Sequence, residues 1–400
     1  MFIVVQKFGG TSVANIDRIK RVAEIIARER NRGSSVIAVV SAMSGVTDQL
    51  ANYAKSSSSL SSQNELAEYD VVLSSGEQVT AGLLALALQS IGIKSRSFLG
   101  WQLPIVTDTA YSNGRIVSVG TTQLMEAIKK EEVPVIPGFQ GVCNERIITL
   151  GRGGSDTTAT AIAAAVCAAR CDIFTDVDGV FSADPRIVTK AKKIETISYN
   201  QMLIMATAGA KVIHPRAVDI SLSHHLETHI LSSFSDIPGT VLVKDNKGIE
   251  RGSILAVVSD SNIVIITIFR INTDNIFINK ILDTLSDLAI PLELLFDAHQ
   301  LDPSFKFTVP KNSLSVVCSL LNDLSLNFII KDEVAKITIV GNGLAENSII
   351  LQKMFQILAD EDINIISANA ISTNISIVLE AKYKDVATVK LHNGFSLGAI

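Results

Sequence analysis

Thr149-Leu150-Gly151-Arg152-Gly153-Gly154-Ser155-Asp156-Thr157-Thr158-Ala159 is the stretch on which the reading of the whole chain turns. Ile147 and Ile148 ahead of it are apolar and β-branched, and an alanine-rich segment follows it as far as Ala169. That order predicts a strand, a tight turn and a helix. Glycine lets a backbone turn sharply and come close to a ligand. A helix beginning there points its free N–H groups back at the turn, which suits an anion. Arg152 adds a planar fork for a carboxylate or phosphate. Asp156 is an acid in a place built for negative ligands, so a metal, a substrate ammonium or a lysine has to neutralise it. The plainer alternative is a helix N-cap at Ser155 or Asp156 over a core helix. A glycine-rich turn alone does not choose between the two.

The start of the chain has the same grammar. Residues 3–5 form a short buried strand that runs into Lys7-Phe8-Gly9-Gly10-Thr11-Ser12-Val13, and Ile16, Ile19, Val22, Ala23 and Ile26 then follow at helical spacing. A lysine beside a backbone nest makes a phosphate cradle. The spacing is neither that of a Walker A loop nor a complete G-x-G-x-x-G, so an ordinary βα turn with a solvated lysine stands beside that reading. Residues 36–40 read as a second buried strand, ending in Ser41-Ala42-Met43-Ser44-Gly45-Val46-Thr47. Hydroxyls at the carboxyl end of a strand are placed to bind a small polar ligand, or Ser44 or Thr47 caps a helix.

Further along, the serine-rich residues 56–62 read as a flexible loop. Gly76-Glu77-Gln78-Val79 reads as the entry to an apolar helix at 81–88. Glu77 there either complements the helix dipole or clamps an ammonium group. Residues 133–141 are a buried strand that breaks into a Pro/Gly loop containing Phe139, and 173–181 are a strand followed by an acidic turn. Lys211 sits at one more turn, in Gly209-Ala210-Lys211-Val212. His224, His225 and His229 are not spaced as H-E-x-x-H, so no zinc site is expected from them.

Composition narrows the classes. In 400 residues, apolar types make up 47% and charged types 19%, which provides for sizeable cores in two or three domains. The net charge of −5 and the sparse aromatics exclude a nucleic-acid footprint. The first five residues are too short for a signal sequence. No apolar run is expected to reach the ~18 residues that cross a membrane. The four cysteines are scattered; Cys167 and Cys171 could share a helix face, but small buried thiols are the preferred reading. The expectation is a soluble, cytoplasmic protein.

Repeated strand–helix units predict a three-layer α/β domain with a mainly parallel sheet over residues 1–247, followed by a linker at 248–262. The remainder reads β-α-β-β-α-β over 263–335 and again over 336–400. Leu282, Leu285 and Ile290 correspond at a constant offset to Phe355, Leu358 and Ile363. That is a duplicated ferredoxin-like unit, fit to sense a small ligand or to assemble chains.

Taken together, Lys7-Phe8-Gly9-Gly10-Thr11-Ser12, Ser74-Ser75-Gly76-Glu77, Leu150-Gly151-Arg152-Gly153-Gly154-Ser155-Asp156, Thr175-Asp176-Val177-Asp178-Gly179 and Gly209-Ala210-Lys211-Val212 occur in the order found in aspartate kinases. The chain resembles the monofunctional type, with an amino-acid-kinase domain and two ACT domains, over nearly its whole length. The resemblance implies ATP- and Mg2+-dependent phosphorylation of the L-aspartate β-carboxylate to 4-phospho-L-aspartate, the first step toward lysine, threonine, methionine and diaminopimelate. It implies that Lys7 and the Gly9 and Gly10 amides hold the transferring phosphoryl group. Arg152 clamps the α-carboxylate, Glu77 takes the ammonium, Ser41, Thr47 and Ser155 bond to substrate, and Phe139 forms a wall. Asp156 orients the reacting groups beside Lys7. Thr11, Ser12, Thr175, Asp176, Phe181, Arg186 and Lys211 fall to the nucleotide. Position 181 is tyrosine in many relatives, and phenylalanine here forgoes a hydroxyl contact.

The C-terminal loops depart from the pattern. Asn272-Thr273-Asp274-Asn275 and Leu344-Ala345-Glu346-Asn347-Ser348 lack the Asp-x-Pro-Gly common in ACT effector loops, and Phe296-Asp297-Ala298-His299 lacks the usual polar pattern. Feedback by lysine or threonine, and a homodimer or larger homo-oligomer built through the ACT sheets, are what the resemblance implies. A related kinase acting on glutamate, acetylglutamate, carbamate or UMP, and a non-catalytic amino-acid sensor, are the alternatives. The ACT pair and Ser74-Ser75-Gly76-Glu77 oppose the first, and the retained Lys7, Arg152 and Asp156 oppose the second.

Overall fold

The computed structural model describes residues 2–244, 253–269, 275–287, 290–295 and 304–398. By contacts it divides into two units: 1–180 with 193–206 and 211–247, and 181–192 with 207–210 and 248–400.

The first unit opens with β1 (Ile3–Phe8), α1 (Ile16–Asn31), β2 (Ser35–Val40) and α2 (Val46–Ser57). There follow α3 (Gln63–Ser90), β3 (Ser95–Ser97), β4 (Ile105–Thr107), β5 (Ile116–Val119), α4 (Thr122–Lys129) and β6 (Val133–Pro137). After β7 (Gln140–Cys143) and β8 (Arg146–Thr149) come α5 (Gly154–Ala165) and β9 (Arg170–Thr175). The chain continues through the short β10 (Val180–Phe181) and β11 (Lys193–Ile194), then β12 (Thr196–Ser198), α6 (Tyr199–Thr207), α7 (Pro215–Ser223), β13 (Thr228–Ser232) and β14 (Thr240–Val243), with Phe181 and Thr207 counted to the second unit.

Its main sheet has the order β12-β14-β13-β9-β1-β2-β6-β3. Every pairing whose register is described is parallel except β13 with β14. Parallel strands covered on both faces are mostly apolar, and β1 is buried at all six positions, Gln6 and Lys7 included. A side sheet, β5-β4-β7-β8, leads into the glycine-rich stretch. The register levels the strand ends: Phe8 faces both Val40 and Phe174, and Val40 faces Pro137. Phe8 and Phe174 stack at 4.8 Å and 11°, worth about 0.5–1.5 kcal/mol beyond their burial. The loops after β1, β2, β6 and β9 therefore leave the sheet at one edge.

α3 differs from expectation. It is one helix of 28 residues, opened by a capping box between Ser62 and Glu65; residues 58–62 of the serine-rich stretch are the loop between α2 and α3, Ser62 caps the helix, and Glu77 lies mid-helix. By length and composition α3 could cross a membrane, contrary to the expectation that no segment approaches that size. Half of its most apolar window is buried inside this unit. Cys167 is exposed after α5 and Cys171 is buried on β9, so the two do not share a helix face, and of the four cysteines Cys171 alone is a buried thiol, Cys143 and Cys318 being partly exposed.

The second unit contains β15 (Ser253–Asp260), β16 (Ile263–Phe269), α8 (Asn275–Asp287), β17 (Glu293–Leu295), β18 (Ser304–Pro310), α9 (Leu314–Asp323) and β19 (Phe328–Lys331). It continues with β20 (Val334–Asn342), α10 (Ser348–Ala359), β21 (Ile365–Ile371), β22 (Asn374–Glu380) and α11 (Lys384–Gly394). Two four-stranded sheets result, β17-β18-β16-β19 and β15-β20-β22-β21. The duplication holds in the packing: Leu285 and Leu358, 73 positions apart, are core residues of their respective copies. The linker expected at 248–262 contains β15, which pairs antiparallel with β20 and completes the second copy. The first copy is thus inserted within the second. Residues 272–274 and 296–299, two of the effector-loop stretches, lie outside the described residues.

Candidate active site

Lys7, the penultimate residue of β1, is 8% exposed. Its Nζ lies 2.6 Å from Asp156 Oδ1, and both side chains are about nine-tenths buried. Oδ1 has no further partner, while Oδ2 accepts the His214 N–H at 3.1 Å. Lysine is therefore the counter-charge that the sequence demanded for Asp156. His214 caps α7 through Nδ1, and burial pushes its imidazole below the usual range.

The glycine-rich turn is shaped by what its neighbours occupy. Gly153 has φ +66°, and a Cβ there would stand 2.0 Å from His214 Cγ. A Cβ on Gly154 would meet the Phe139 ring at 2.8 Å, and one on Gly138 would meet Ser155 Oγ at 2.7 Å. Phe139 itself takes φ +69°, a strained choice for a large residue. Its N–H donates to Thr158 Oγ1 and its carbonyl accepts the Leu150 N–H. Gly153 supplies the N-cap of α5 with no side-chain bond, so neither Ser155 nor Asp156 acts as the cap. Thr157, Thr158 and Thr160 turn their hydroxyls back onto Gly153, Gly154 and Asp156 carbonyls. Arg152 is exposed at the tip.

Glu77 is 3% exposed. Oε1 accepts the Ala42 N–H at 3.0 Å, and Oε2 is buried with no partner. Burial pushes its carboxyl up to about 7, against the pull of the Ala42 amide. Gly76 brings α3 close: a Cβ there would lie 2.9 Å from Ala42 Cβ. The next loop holds Ser41 and Thr47, both partly exposed. α2 starts on Gly45 at φ +82° with no side-chain cap, so neither Ser44 nor Thr47 serves as one.

Two nucleotide expectations need correction. The Gly9 N–H donates to Phe174 O at 3.2 Å, so it is already engaged in tying the loop to β9. Ser12 is fully buried, and its Oγ accepts from Ser233 Oγ at 2.8 Å, which makes it an internal brace. Thr11, Asp176 and Lys211 are exposed and Gly10 partly so. Thr175 Oγ1 donates to Asp176 Oδ1 at 3.1 Å. Phe181 and Arg186 belong to the 181–192 segment of the second unit, where Asp184 grips the Arg186 guanidinium at 3.0 and 2.8 Å. No cluster of three or more His, Cys, Asp or Glu fit to hold a metal occurs among the described residues.

Three residues near the site escaped the sequence reading: Asp70, His214 and Arg216. Asp70 lies seven positions before Glu77, two helical turns away on the same face, a signal lost once the segment was not read as helix. His214-Pro215 was a legible helix start.

A fold with a mainly parallel sheet, a lysine and glycines at one strand end and an acid at an adjacent helix start defines a class of small-molecule kinases. The model of the amino acid kinase family matches residues 2–232, and an ACT domain model matches 337–395. An aspartokinase of Rickettsia felis is 40% identical over 99% of this chain and 100% of its own length. Aspartokinase III of E. coli, solved with aspartate and ADP, superposes with a TM-score of 0.83 at 25% identity, covering 98% of this chain and 99% of that one. The same enzyme solved with lysine and aspartate gives 0.75 over the same shares. The chain belongs to the amino acid kinase family and, within it, to the aspartokinases.

Proposed function

We propose that this aspartokinase uses the Lys7–Asp156 pair, at the N-terminus of α5, as the centre over which the γ-phosphoryl group of ATP passes to the β-carboxylate of L-aspartate. That pair is the observation that carries the reading. A carboxylate oxygen attacks the γ-phosphorus, the bond to the β–γ bridging oxygen breaks, and ADP leaves with that electron pair. The nucleophile is already ionised at neutral pH, so no strong general base is required. Such transfer depends mainly on positioning and charge neutralisation.

Lys7 and the Gly10 amide neutralise and orient the phosphoryl oxygens. Arg152 takes the α-carboxylate as a bidentate fork. Glu77, with one buried oxygen lacking a partner, receives the ammonium, and the incoming cation holds it ionised. Ser41, Thr47 and Ser155 bond to the substrate, and Phe139 closes one side. Thr11, Thr175, Asp176 and Lys211 serve the nucleotide. Mg2+ fits a site of this kind: it binds through one or two carboxylates and the substrate's phosphates, and Asp156 Oδ1 has an unused lone pair. When bound, it would neutralise phosphate charge.

The product enters amino-acid biosynthesis. The ACT copies are read as the place where an amino acid such as lysine or threonine acts, and their edge strands, β21 among them, as the surface that joins chains into a homodimer. Purified protein incubated with Mg-ATP, hydroxylamine and each of L-aspartate, L-glutamate and N-acetylglutamate tests the reading. Hydroxamate forms from aspartate alone, and adding lysine or threonine reduces it. A folded, ATP-binding protein that makes none from aspartate sinks the proposal.

A further inference from the structure

The loop that carries Arg152 is held from two sides by charges that take no part in the reacting set. Asp70, on α3, is fully buried. Its carboxylate accepts the Ser112 N–H at 2.9 Å, the Ser112 hydroxyl at 3.2 Å, the Thr149 N–H at 2.9 Å and the Thr149 hydroxyl at 2.6 Å. All of these donors are neutral, and burial raises the carboxyl above its ordinary range. Arg216, at the second position of α7, donates through Nη1 to Leu150 O at 2.6 Å and through Nη2 to Gly114 O at 2.8 Å.

Between these two groups the turn at 112–114 and the loop at 149–151 are joined. The Gly114 N–H donates to Thr149 O at 2.9 Å. Gly151 has φ +73°, and a Cβ there would stand 3.0 Å from Asn113 Oδ1 and 3.1 Å from Ser112 O. Burying a carboxylate and half-burying a guanidinium to bond main-chain groups is costly. Neutral side chains could satisfy the same backbone. What the charges add is stiffness, because charge-assisted bonds are shorter and stronger than neutral ones. The segment they stiffen ends two residues before Arg152. His214, two residues from Arg216, touches Asp156 from the same helix start.

We propose that Asp70 and Arg216 are positioning residues, a two-sided clasp that fixes the glycine-rich loop so that Arg152 meets the α-carboxylate of the amino-acid substrate. The inference rests on the substrate reading of Arg152 given above. Steady-state kinetics of the full chain with both substrates varied test it, using Arg216→Gln, Arg216→Lys, Asp70→Asn, Arg152→Gln and the Arg152→Gln/Arg216→Gln double variant.

A loosened loop raises KM for aspartate about tenfold or more in Arg216→Gln and Asp70→Asn. KM for ATP stays within about twofold, since only one substrate's binding is disturbed. Lysine reaches one carbonyl where arginine reaches two, so Arg216→Lys recovers part of the loss. Because Arg216 acts through Arg152, the double variant is no worse for aspartate than Arg152→Gln alone. Additive losses in the double variant, or equal rises in both KM values, overturn the clasp. A raised aspartate KM in Arg152→Gln with none in Arg216→Gln and Asp70→Asn overturns the clasp alone. An unchanged aspartate KM in Arg152→Gln overturns the Arg152 reading and the clasp with it.

Discussion

Lys7 Nζ and Asp156 Oδ1 stand 2.6 Å apart although they come from a strand end and a helix start separated by 149 positions in the chain. A buried ion pair is weak support for stability, because desolvation offsets most of its attraction. This pair sits where strand ends and a helix N-terminus converge, and in the function proposed above its role is charge control at the reacting centre. The ammonium is held ready for phosphoryl oxygens by an anion that cannot easily leave.

Removing one partner separates chemistry from folding. Lys7→Ala lowers kcat by about two to three orders of magnitude, while calorimetry still detects aspartate binding through Arg152 and Glu77. It also leaves Asp156 as an uncompensated buried charge, costing about 3 kcal/mol. Lys7→Met/Asp156→Leu recovers stability in a denaturant melt without recovering turnover. Wild-type kcat in Lys7→Ala would remove lysine from the mechanism.

In its proposed role at the substrate ammonium, Glu77 ties pH to binding and stability in opposite directions. Its carboxyl is pushed from about 4.5 to about 7 by burial. A neutral Glu77 cannot pair an ammonium group, so kcat/KM for aspartate falls as the pH drops below about 7. Stability runs the other way. The folded state binds the proton more tightly than the unfolded state, so stability is highest below the unfolded pKa and is lost as the pH rises through about 7. At pH 8 the buried anion costs on the order of 3 kcal/mol. Glu77→Gln therefore raises the Tm of the ligand-free enzyme at pH 8 while abolishing the acid limb and weakening aspartate binding. A Tm at pH 8 that does not rise would mean the carboxylate is better solvated than its burial implies.

The strand-end loops that build the candidate site were legible because they announce themselves: β-branched runs broken by glycine, lysine and small hydroxyl residues. What escaped was non-local. Leu73-Ser74-Ser75-Gly76 contains poor helix formers, yet the capping box at Ser62 and packing of Leu73, Leu84 and Leu88 in the core carry α3 straight through it. Ser12 reads as a phosphate contact until Ser233, 221 residues later, takes its hydroxyl. β15 finds β20 across an entire inserted domain, a pairing that no local period reveals.

Two glycines at positive φ, Gly33 in the turn after α1 and Gly153 in the glycine-rich loop, differ in what they protect. Gly33 has φ +91° with nothing within 4 Å of a Cβ, so Gly33→Ala costs only backbone strain, about 1 kcal/mol. Gly153 combines φ +66° with a Cβ that would overlap the His214 ring. Gly153→Ala must displace His214, whose main-chain N–H bonds to Asp156. It therefore loses activity out of proportion to its stability, whereas Gly33→Ala keeps full kcat. Equal kinetics in the two variants, measured alongside their melts, would show that His214 yields freely and that Asp156 does not depend on it.

The inserted arrangement of the C-terminal sheets fixes where a separately folding C-terminal fragment can begin. β20 lies between β15 and β22, with Val257 opposite Ile339 and Asp260 opposite Lys336. A fragment of residues 248–400 keeps β15; one of 263–400 leaves the β20 edge unpaired and removes the buried Ala256, Val257 and Val258. Losing those side chains alone removes roughly 4 kcal/mol of apolar burial, and an open apolar edge recruits other chains. The longer fragment gives a cooperative melt and a discrete species on size exclusion, while the shorter one aggregates or melts without cooperativity. If both fragments melt alike, β15 is dispensable and the second sheet is stable with three strands.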